Sequence, residues 1–158
     1  MTTICFDLSM SNTGVAIFDD AGECVSLVSI ETKKEDSHPF RLQTIGKAFK
    51  KIKKEYKPSL VIVEESFSRF NNSTHAIYKV RGVMEYVFYD IPMEFYHGTT
   101  VRKEVLGRGN STKEEIQDYI IKSNPKIKFE DLDQSDAFAL YLCHLKKKGD
   151  TSRVKKNI

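Results

Sequence analysis

The sequence lacks the patterns that mark membrane, secreted and zinc-binding proteins. No apolar run is long enough to cross a membrane, and the N-terminus shows no signal-peptide pattern. The three cysteines (Cys5, Cys24 and Cys143) are odd in number and scattered, and neither they nor the four histidines have the spacing of metal ligands. We therefore expect a cytoplasmic protein whose thiols are reduced.

Charge is distributed unevenly along the 158 residues, whose net charge is +3. The segment from Lys146 to Ile158 carries six basic residues and one acid, which leaves 19 basic against 21 acidic residues in the body. Such a tail either contacts DNA as a basic arm or serves as a solubilising, disordered end. We assign residues 1–148 to one domain and residues 149–158 to a basic, disordered tail.

The first strand carries an acid that its apolar surroundings disfavour. Residues 4–8, Ile-Cys-Phe-Asp-Leu, are typical of a buried strand, and Asp7 interrupts them. A buried carboxylate is costly unless a metal, a partner charge or a catalytic role compensates for its burial. The alternative is that Asp7 ends the strand and caps the turn over residues 9–12.

Hydrophobic periodicity and turn residues divide the rest of the chain into an α/β pattern. Two further strands complete an antiparallel meander, and a helix then leads to an apolar strand of the kind buried on both faces. A second helix, a last strand and three more helices follow. The expected elements are strands at 15–18, 24–30, 60–63 and 93–96, and helices at 42–56, 73–89, 99–106, from the capping pair Ser111 and Glu114 to 124, and from about 131. The pattern predicts an α/β fold with a five-stranded mixed sheet flanked by helices.

Two acids, Glu64 and Glu65, follow the strand over residues 60–63. Because side chains alternate across a strand, only one of them can approach Asp7. A crossover through a helix would lay this strand parallel to its neighbour, and functional side chains favour the carboxyl ends of such strands. We choose Glu64 as the candidate and interpret Glu65 as an exposed edge residue.

The last helix opens with acids and is otherwise very apolar. Asp133 and Asp136 lie three residues apart, so they share a helix face. Acids also favour helix N-termini through the helix dipole and by capping. This pair therefore has a structural explanation as well as a functional one.

Two loops hold candidate DNA contacts. Phe67, in the loop over residues 66–72, either stacks on a nucleobase or folds back onto the core, and Arg69 lies beside it. A second loop, at residues 107–110, lacks the spacing of a P-loop, but basic residues surround it. These residues, which either contact phosphates or are simply solvated, are Arg102, Lys103, Arg108 and Lys113.

The helix over residues 73–89 has an unusually broad apolar face and a glycine, Gly82, at its middle. A broad face and a residue that permits close approach indicate two packing surfaces, the sheet and a second subunit. The alternative is deep burial within one chain.

Taken together, these segments resemble the RuvC family of Holliday junction resolvases, which has a ribonuclease H-like fold. The resemblance runs from about residue 2 to residue 145. The resemblance rests on five segments: Ile-Cys-Phe-Asp-Leu-Ser at 4–9 with Thr13-Gly14, Val-Glu-Glu-Ser-Phe at 63–67, Val-Arg-Gly-Val at 80–83, Val101-Arg102 with Gly-Arg-Gly at 107–109, and Asp-Gln-Ser-Asp-Ala at 133–137. Each motif is short, and their order and spacing make the match.

The resemblance implies a dimeric, magnesium-dependent endonuclease that nicks opposing strands of a four-way DNA junction. Its metal-binding, catalytic acids would be Asp7, Glu64, Asp133 and Asp136. Phe67 would insert near the junction bases, and Arg102 and Lys113 would lie near the scissile phosphate. The short chain and basic tail are similar to bacteriophage-encoded members, which accept a broader range of branched DNA, so the compartment would be the cytoplasm of a bacterium or of a phage-infected host.

Elementary electrostatics agrees with a metal site. Like charges about 4 Å apart repel by roughly 4 kcal/mol at an effective dielectric of 20, so four clustered carboxylates need cations or protons. Oxygen ligands without Cys or His favour Mg²⁺, or Mn²⁺ in its place, over Zn²⁺. We expect two such ions per active site.

Three other functions remain open at this stage. A ribonuclease that acts on RNA–DNA hybrids would use the same fold and acids. The stretch from Asp7 to Gly14 also resembles the first phosphate loop of actin-like ATPases, although those proteins need two lobes and a longer chain. A junction-binding protein without catalytic activity is the third alternative.

Overall fold

A mixed sheet of five strands forms the centre of the computed structural model, which describes residues 1–65 and 72–157. The strands are β1 (Thr3–Asp7), β2 (Asn12–Phe18), β3 (Cys24–Glu31), β4 (Leu60–Glu65) and β5 (Met93–His97), in the spatial order β3-β2-β1-β4-β5. The pairs β1–β2 and β2–β3 are antiparallel, whereas β1–β4 and β4–β5 are parallel. The predicted fold class, a meander extended by parallel strands, is confirmed. The loop candidates Phe67 and Arg69 lie outside the described residues.

Helices cover both faces of the sheet. The helices are α1 (His38–Tyr56), α2 (Asn72–Val87), α3 (Gly98–Leu106), α4 (Lys113–Ser123), α5 (Leu132–Lys147) and α6 (Thr151–Asn157). Ile4 and Phe6 of β1 point to the face covered by α1 and α2, whereas Cys5 points to the face covered by the later helices. This alternation gives the sheet a core on each side. Phe6 contacts Phe49 on one side, at a ring separation of 5.0 Å, and Phe18 stacks on Tyr141 on the other, at 3.8 Å.

The start of α5 lies directly against β2, and Gly14 makes this approach possible. A Cβ atom added at Gly14 would come within 2.1 Å of the backbone oxygen of Asp133. Residues 134–143 of α5 are all buried, because the helix packs across the sheet beside α3 and α4. The first turn of α5 is thereby fixed over the end of the sheet where β1 ends.

Two local predictions differ from the structure. The capping box of α4 is formed by Thr112 and Glu115, one residue later than expected. Ser111 is buried, and its hydroxyl instead donates to the backbone oxygen of Arg108 at 3.0 Å. The capping residue is therefore Thr112, whose side chain accepts from the Glu115 amide.

The basic tail, expected to be disordered, forms α6 over residues 151–157. Val154 and Asn157 are buried, and the Asn157 side chain donates to the Gly22 oxygen at 2.8 Å. Arg153 donates to the Asp20 oxygen at 2.9 Å, so α6 is tied to the turn between β2 and β3. Among the described residues, no helix has the length and apolar character needed to span a membrane.

Candidate active site

Four carboxylates meet at one end of the sheet. Asp7 ends β1, and Glu64 lies near the end of β4; because these strands are parallel neighbours, their carboxyl ends coincide. Asp133 and Asp136 extend from the first turns of α5, whose start is held over the same edge. The side chains of Asp136 and Asp7 are only 4% and 14% exposed. The structure therefore brings together all four acids chosen from the sequence.

Lys113, the first residue of α4, extends into the middle of this cluster. Its Nζ lies 3.1 Å from Asp7 Oδ2, 3.0 Å from Asp133 Oδ1 and 2.6 Å from Asp136 Oδ2. The contact between Lys113 and Asp136 is an ion pair, because no donor among the described residues has hydrogen-bond geometry toward Asp136 Oδ2. One ammonium group thus faces three carboxylates.

Burial and mutual repulsion make three of the carboxylates, those of Asp7, Glu64 and Asp136, hard to ionise. Burial, then repulsion by Glu64, raises the pKa of Asp7 well above its usual range, although Lys113 opposes the shift. Burial also raises the pKa of Glu64, with Asp136 adding to the effect, and burial raises the pKa of Asp136 against the pull of Lys113. The site therefore needs more positive charge than it holds.

The lysine itself stays charged. Burial acts to lower the pKa of Lys113, but its attraction to Asp7 and Asp136 outweighs burial and raises that pKa. Its side chain is 38% exposed, so it reaches the acids from the open side of the site.

Arg102 of α3 adds a second positive charge, and Gly98 makes room for the acid beside it. The charge of Arg102 opposes the rise in the pKa of both Glu64 and Asp136. A Cβ atom added at Gly98 would lie 2.7 Å from Glu64 Oε1 and 3.4 Å from an Arg102 guanidinium nitrogen. A glycine at the start of α3 therefore lets the Glu64 carboxylate approach the helix closely. The sequence offered no signal for Gly98 beyond its position after a strand.

Hydrogen bonds from Asn12 and Ser29 hold the acids at the start of α5, and the sequence pattern does not predict them. The Asn12 side-chain amide donates to Asp131 Oδ2 at 3.0 Å and to Asp133 Oδ2 at 2.9 Å. Ser29 also donates to Asp131, which caps α5 by accepting from the Gln134 amide at 2.9 Å. Burial acts to raise the pKa of Asp131, but these hydrogen bonds outweigh it and lower that pKa. Asp131 therefore caps α5, whereas Asn12 orients the Asp133 carboxylate. From the sequence alone, Asn12 is only part of the turn over residues 9–12.

The other candidates lie apart from the carboxylates. Glu65 points to the opposite face, where its Oε1 lies 3.4 Å from the Arg81 guanidinium of α2. It is partly buried and paired rather than an exposed edge residue. Arg108 forms an ion pair with Glu115 on the surface, and Lys103 is exposed on α3. Of the expected basic patch, only Arg102 and Lys113 contribute charge at the acids.

The donor set suits a hard divalent cation. Oxygen ligands from carboxylates are those that Mg²⁺ and Mn²⁺ prefer, and the raised pKa values show that positive charge would be favourable here. Within residues 1–65 and 72–157, no three acidic, histidine or cysteine side chains already stand in a metal-binding arrangement. The Lys113 ammonium lies between three of the four carboxylates.

Comparison with known proteins identifies relatives along most of the chain. A family model described as crossover junction endodeoxyribonuclease RuvC matches residues 4–144. The RuvC of Gluconobacter oxydans is 31% identical over 128 residues, which span 79% of this chain and 76% of the relative. The RuvC of Rickettsia prowazekii is 34% identical over 128 residues, which span 76% of this chain and 80% of the relative.

Solved structures with the same fold agree with this finding. The structure of Thermus thermophilus RuvC superposes with a TM-score of 0.79 at 19% identity, covering 94% of this chain and 97% of that one. The same protein in complex with a Holliday junction substrate superposes with a TM-score of 0.80 at 18% identity, covering 96% and 97%. The fold expected from the sequence is therefore confirmed.

Proposed function

Because the chain belongs to the RuvC family of crossover junction endodeoxyribonucleases, we propose that it cuts four-way DNA junctions by metal-dependent phosphodiester hydrolysis. The observation that carries the proposal is the convergence of Asp7, Glu64, Asp133 and Asp136 on one end of the sheet. Burying several acids together is unfavourable, and a cation-dependent function explains why the chain does so.

Each residue of the site has a distinct task in this proposal. Asp7, Glu64, Asp133 and Asp136 would hold two Mg²⁺ ions, or Mn²⁺ in their place. Divalent cations held there would activate a water molecule and stabilise the leaving 3′ oxygen. Asn12 orients the Asp133 carboxylate, and Gly98 gives Glu64 its place beside α3. Arg102 supplies positive charge where the scissile phosphate would lie.

Other basic and aromatic residues would bind the DNA outside the reacting centre. We assign phosphate contacts to Lys103, Arg108 and Arg69 and a base contact to Phe67, with Lys113 near the scissile phosphate. Lys103 and Arg108 are exposed next to the loop that leads to Lys113, so they can reach a backbone laid across the acids. Phosphate contacts of this kind fix position on the DNA without reading sequence.

A homodimer through α2 would supply the second active site that cutting two opposing strands requires. Val80 and Met84 of α2 are buried against the sheet, whereas Tyr78 and Tyr86 are 52% and 74% exposed. Gly82 lies between the two tyrosines at four-residue steps, and a Cβ atom added there would meet open space among the described residues. This aromatic, glycine-centred face of α2 is the surface that a second copy would cover.

We place the protein in the cytoplasm of a bacterium or of a phage-infected host, where it would act in DNA recombination and repair. Its three cysteines are free, and Cys5 and Cys143 are buried. Burial raises the pKa of Cys143 to about 11, so this thiol is poorly reactive.

The experiment that tests the function compares two labelled substrates in Mg²⁺ and in EDTA. We expect a four-way DNA junction to be nicked in opposing strands only when Mg²⁺ is present. An RNA–DNA hybrid of the same length should remain intact, which separates a resolvase from a ribonuclease with the same acids. Cleavage of the hybrid but not of the junction, or equal cleavage in EDTA, would contradict the proposal.

A further inference from the structure

The start of α4 positions Lys113 so that its side chain reaches the acids. It is the first residue of α4, whose start is fixed by the reciprocal hydrogen bonds of Thr112 and Glu115. The other ion-paired lysines in the described part of the chain, Lys53, Lys147 and Lys148, each contact one carboxylate. Lys113 contacts three.

The position of its ammonium group is one that a metal ion would also need. Nζ lies within 3.1 Å of oxygens from Asp7, Asp133 and Asp136, so it lies at the centre of that oxygen set. A divalent cation bound by the same oxygens would lie about 2.0–2.6 Å from each of them. Both cations cannot share that point, because they repel each other at contact distance.

We propose that Lys113 is the built-in counter-ion of the metal-free site: its ammonium holds Asp7, Asp133 and Asp136 together and leaves when a divalent cation binds between them. This inference rests on the proposed metal-binding role of the acids. It gives the lysine a task before the reaction, namely to keep a buried acidic cluster folded without metal. Its long, half-exposed side chain can then turn outward from the open side of the site.

The Lys113 ammonium group is both the counter-ion of the acids and a competitor of the metal ion. Removal of its charge therefore has two opposite effects. Without metal, the carboxylates lose their nearest positive neighbour, and the folded state is destabilised. With metal, the cation no longer displaces an ammonium group, and it binds more tightly.

The test uses neutral variants of Lys113 and measures metal binding in the absence of DNA. Lys113→Met keeps the aliphatic stem and removes the charge, and Lys113→Gln is a second neutral variant in case the first folds poorly. Lys113→Arg keeps the charge at the same position. Lys122→Met is the matched control, since Lys122 is an exposed lysine of the same helix. Mn²⁺ affinity is measured by calorimetry, and Tm is measured in EDTA and in Mn²⁺.

We expect Mn²⁺ to bind the neutral Lys113 variants about tenfold more tightly than the wild type. Their Tm should be lower than that of the wild type in EDTA, and Mn²⁺ should raise it by more. Lys113→Arg and Lys122→Met should bind Mn²⁺ like the wild type. Equal or weaker Mn²⁺ binding by both neutral variants would overturn the inference while leaving the metal site in place. If no protein, wild type included, bound Mn²⁺, the proposed function would fail together with it.

Discussion

At the scale of one residue, the surroundings of Asp7 raise the pKa of its carboxyl group well above the usual range. It lies in a strand whose other residues are buried, and its carboxylate faces Glu64 and Lys113. Burial and the neighbouring acid favour the neutral form of Asp7, so ionising it lowers the free energy of unfolding unless additional positive charge is bound nearby. This cost is measurable as a dependence of stability on pH.

Without metal, the contribution of Asp7 to the stability of the protein should fall as pH rises above about 4, the ordinary pKa of an aspartate. The raised pKa of Asp7 means that the folded state keeps a proton that the unfolded chain has released. Its stabilising contribution is therefore complete at acid pH and is lost as pH rises through the raised value. Asp7→Asn should consequently raise the neutral-pH Tm in EDTA.

Thermal unfolding of the wild type and Asp7→Asn across this pH range checks the sign. Asp20→Asn, in the exposed turn between β2 and β3, is the control and should follow the wild type. A neutral-pH Tm for Asp7→Asn below that of the wild type in EDTA would show that Lys113 overcompensates for burial.

The sequence predicts which acids form the site, and it does not predict that Lys113 contacts three of them. Asp7 and Glu64 were paired correctly because strand alternation and parallel neighbours are local rules that fix both face and edge. The central position of Lys113 depends on how α4 packs against the sheet, and no spacing along the chain encodes that angle. Asn12 was missed for the same reason, since Asp133 lies far along the chain from it.

At the scale of elements, the first turns of α4 and α5 place Lys113, Asp133 and Asp136 at the end of the sheet where β1 and β4 end. The loop between α3 and α4 begins after Gly107, whose positive φ of 80° ends α3, and it leads to the capped start of α4. The sequence predicts this loop, but the four basic residues around it look like one patch when only their spacing along the chain is considered. The structure separates them, because α3 turns Lys103 outward and Glu115 holds Arg108 at the surface.

The double variant Lys103→Gln with Arg108→Gln should weaken junction binding and flatten its salt dependence. If each residue contacts one phosphate, the slope of log K against log salt should become shallower by about 1.8. Binding is measured by fluorescence anisotropy in EDTA over a range of salt. Lys122→Gln with Lys126→Gln removes the same charge from exposed positions and should leave the slope unchanged. A slope unaffected by the first pair would show that both side chains are merely solvated.

At the scale of the whole molecule, two faces of the sheet have different tasks. The α3–α6 face supports the acids, whereas α1 and α2 cover the other face and α2 presents the exposed tyrosines of the proposed dimer surface. Periodicity predicted these helices well, since the core positions are local. The basic charge of the tail led us to expect disorder, whereas residues 151–157 form α6, which contacts of Asn157 and Arg153 hold against a turn more than a hundred residues away.

Gly82→Arg should convert a dimer into a monomer without unfolding the chain. A Cβ atom added at Gly82 meets open space among the described residues, so we expect the monomer to tolerate the substitution, whereas the arginine would collide with a second copy at α2. Sedimentation at micromolar concentration should show a dimer for the wild type and a monomer for the variant. Gln43→Arg on the exposed side of α1 is the control and should remain dimeric. A wild-type monomer that still cleaves junctions would contradict the dimer.

The central claim is that the acids at the ends of the parallel strands β1 and β4 bind the catalytic metal. Its most direct test compares Glu64→Gln with Glu65→Gln, neighbours that point to opposite faces. Junction cleavage in Mg²⁺, junction binding in EDTA and Tm are measured for both. We predict that Glu64→Gln binds the junction but cleaves no more than the wild type does in EDTA. Glu65→Gln should cleave almost normally, since losing its partly exposed ion pair with Arg81 costs only about 0–1 kcal/mol of stability. A folded but inactive Glu65→Gln beside an active Glu64→Gln would contradict the account.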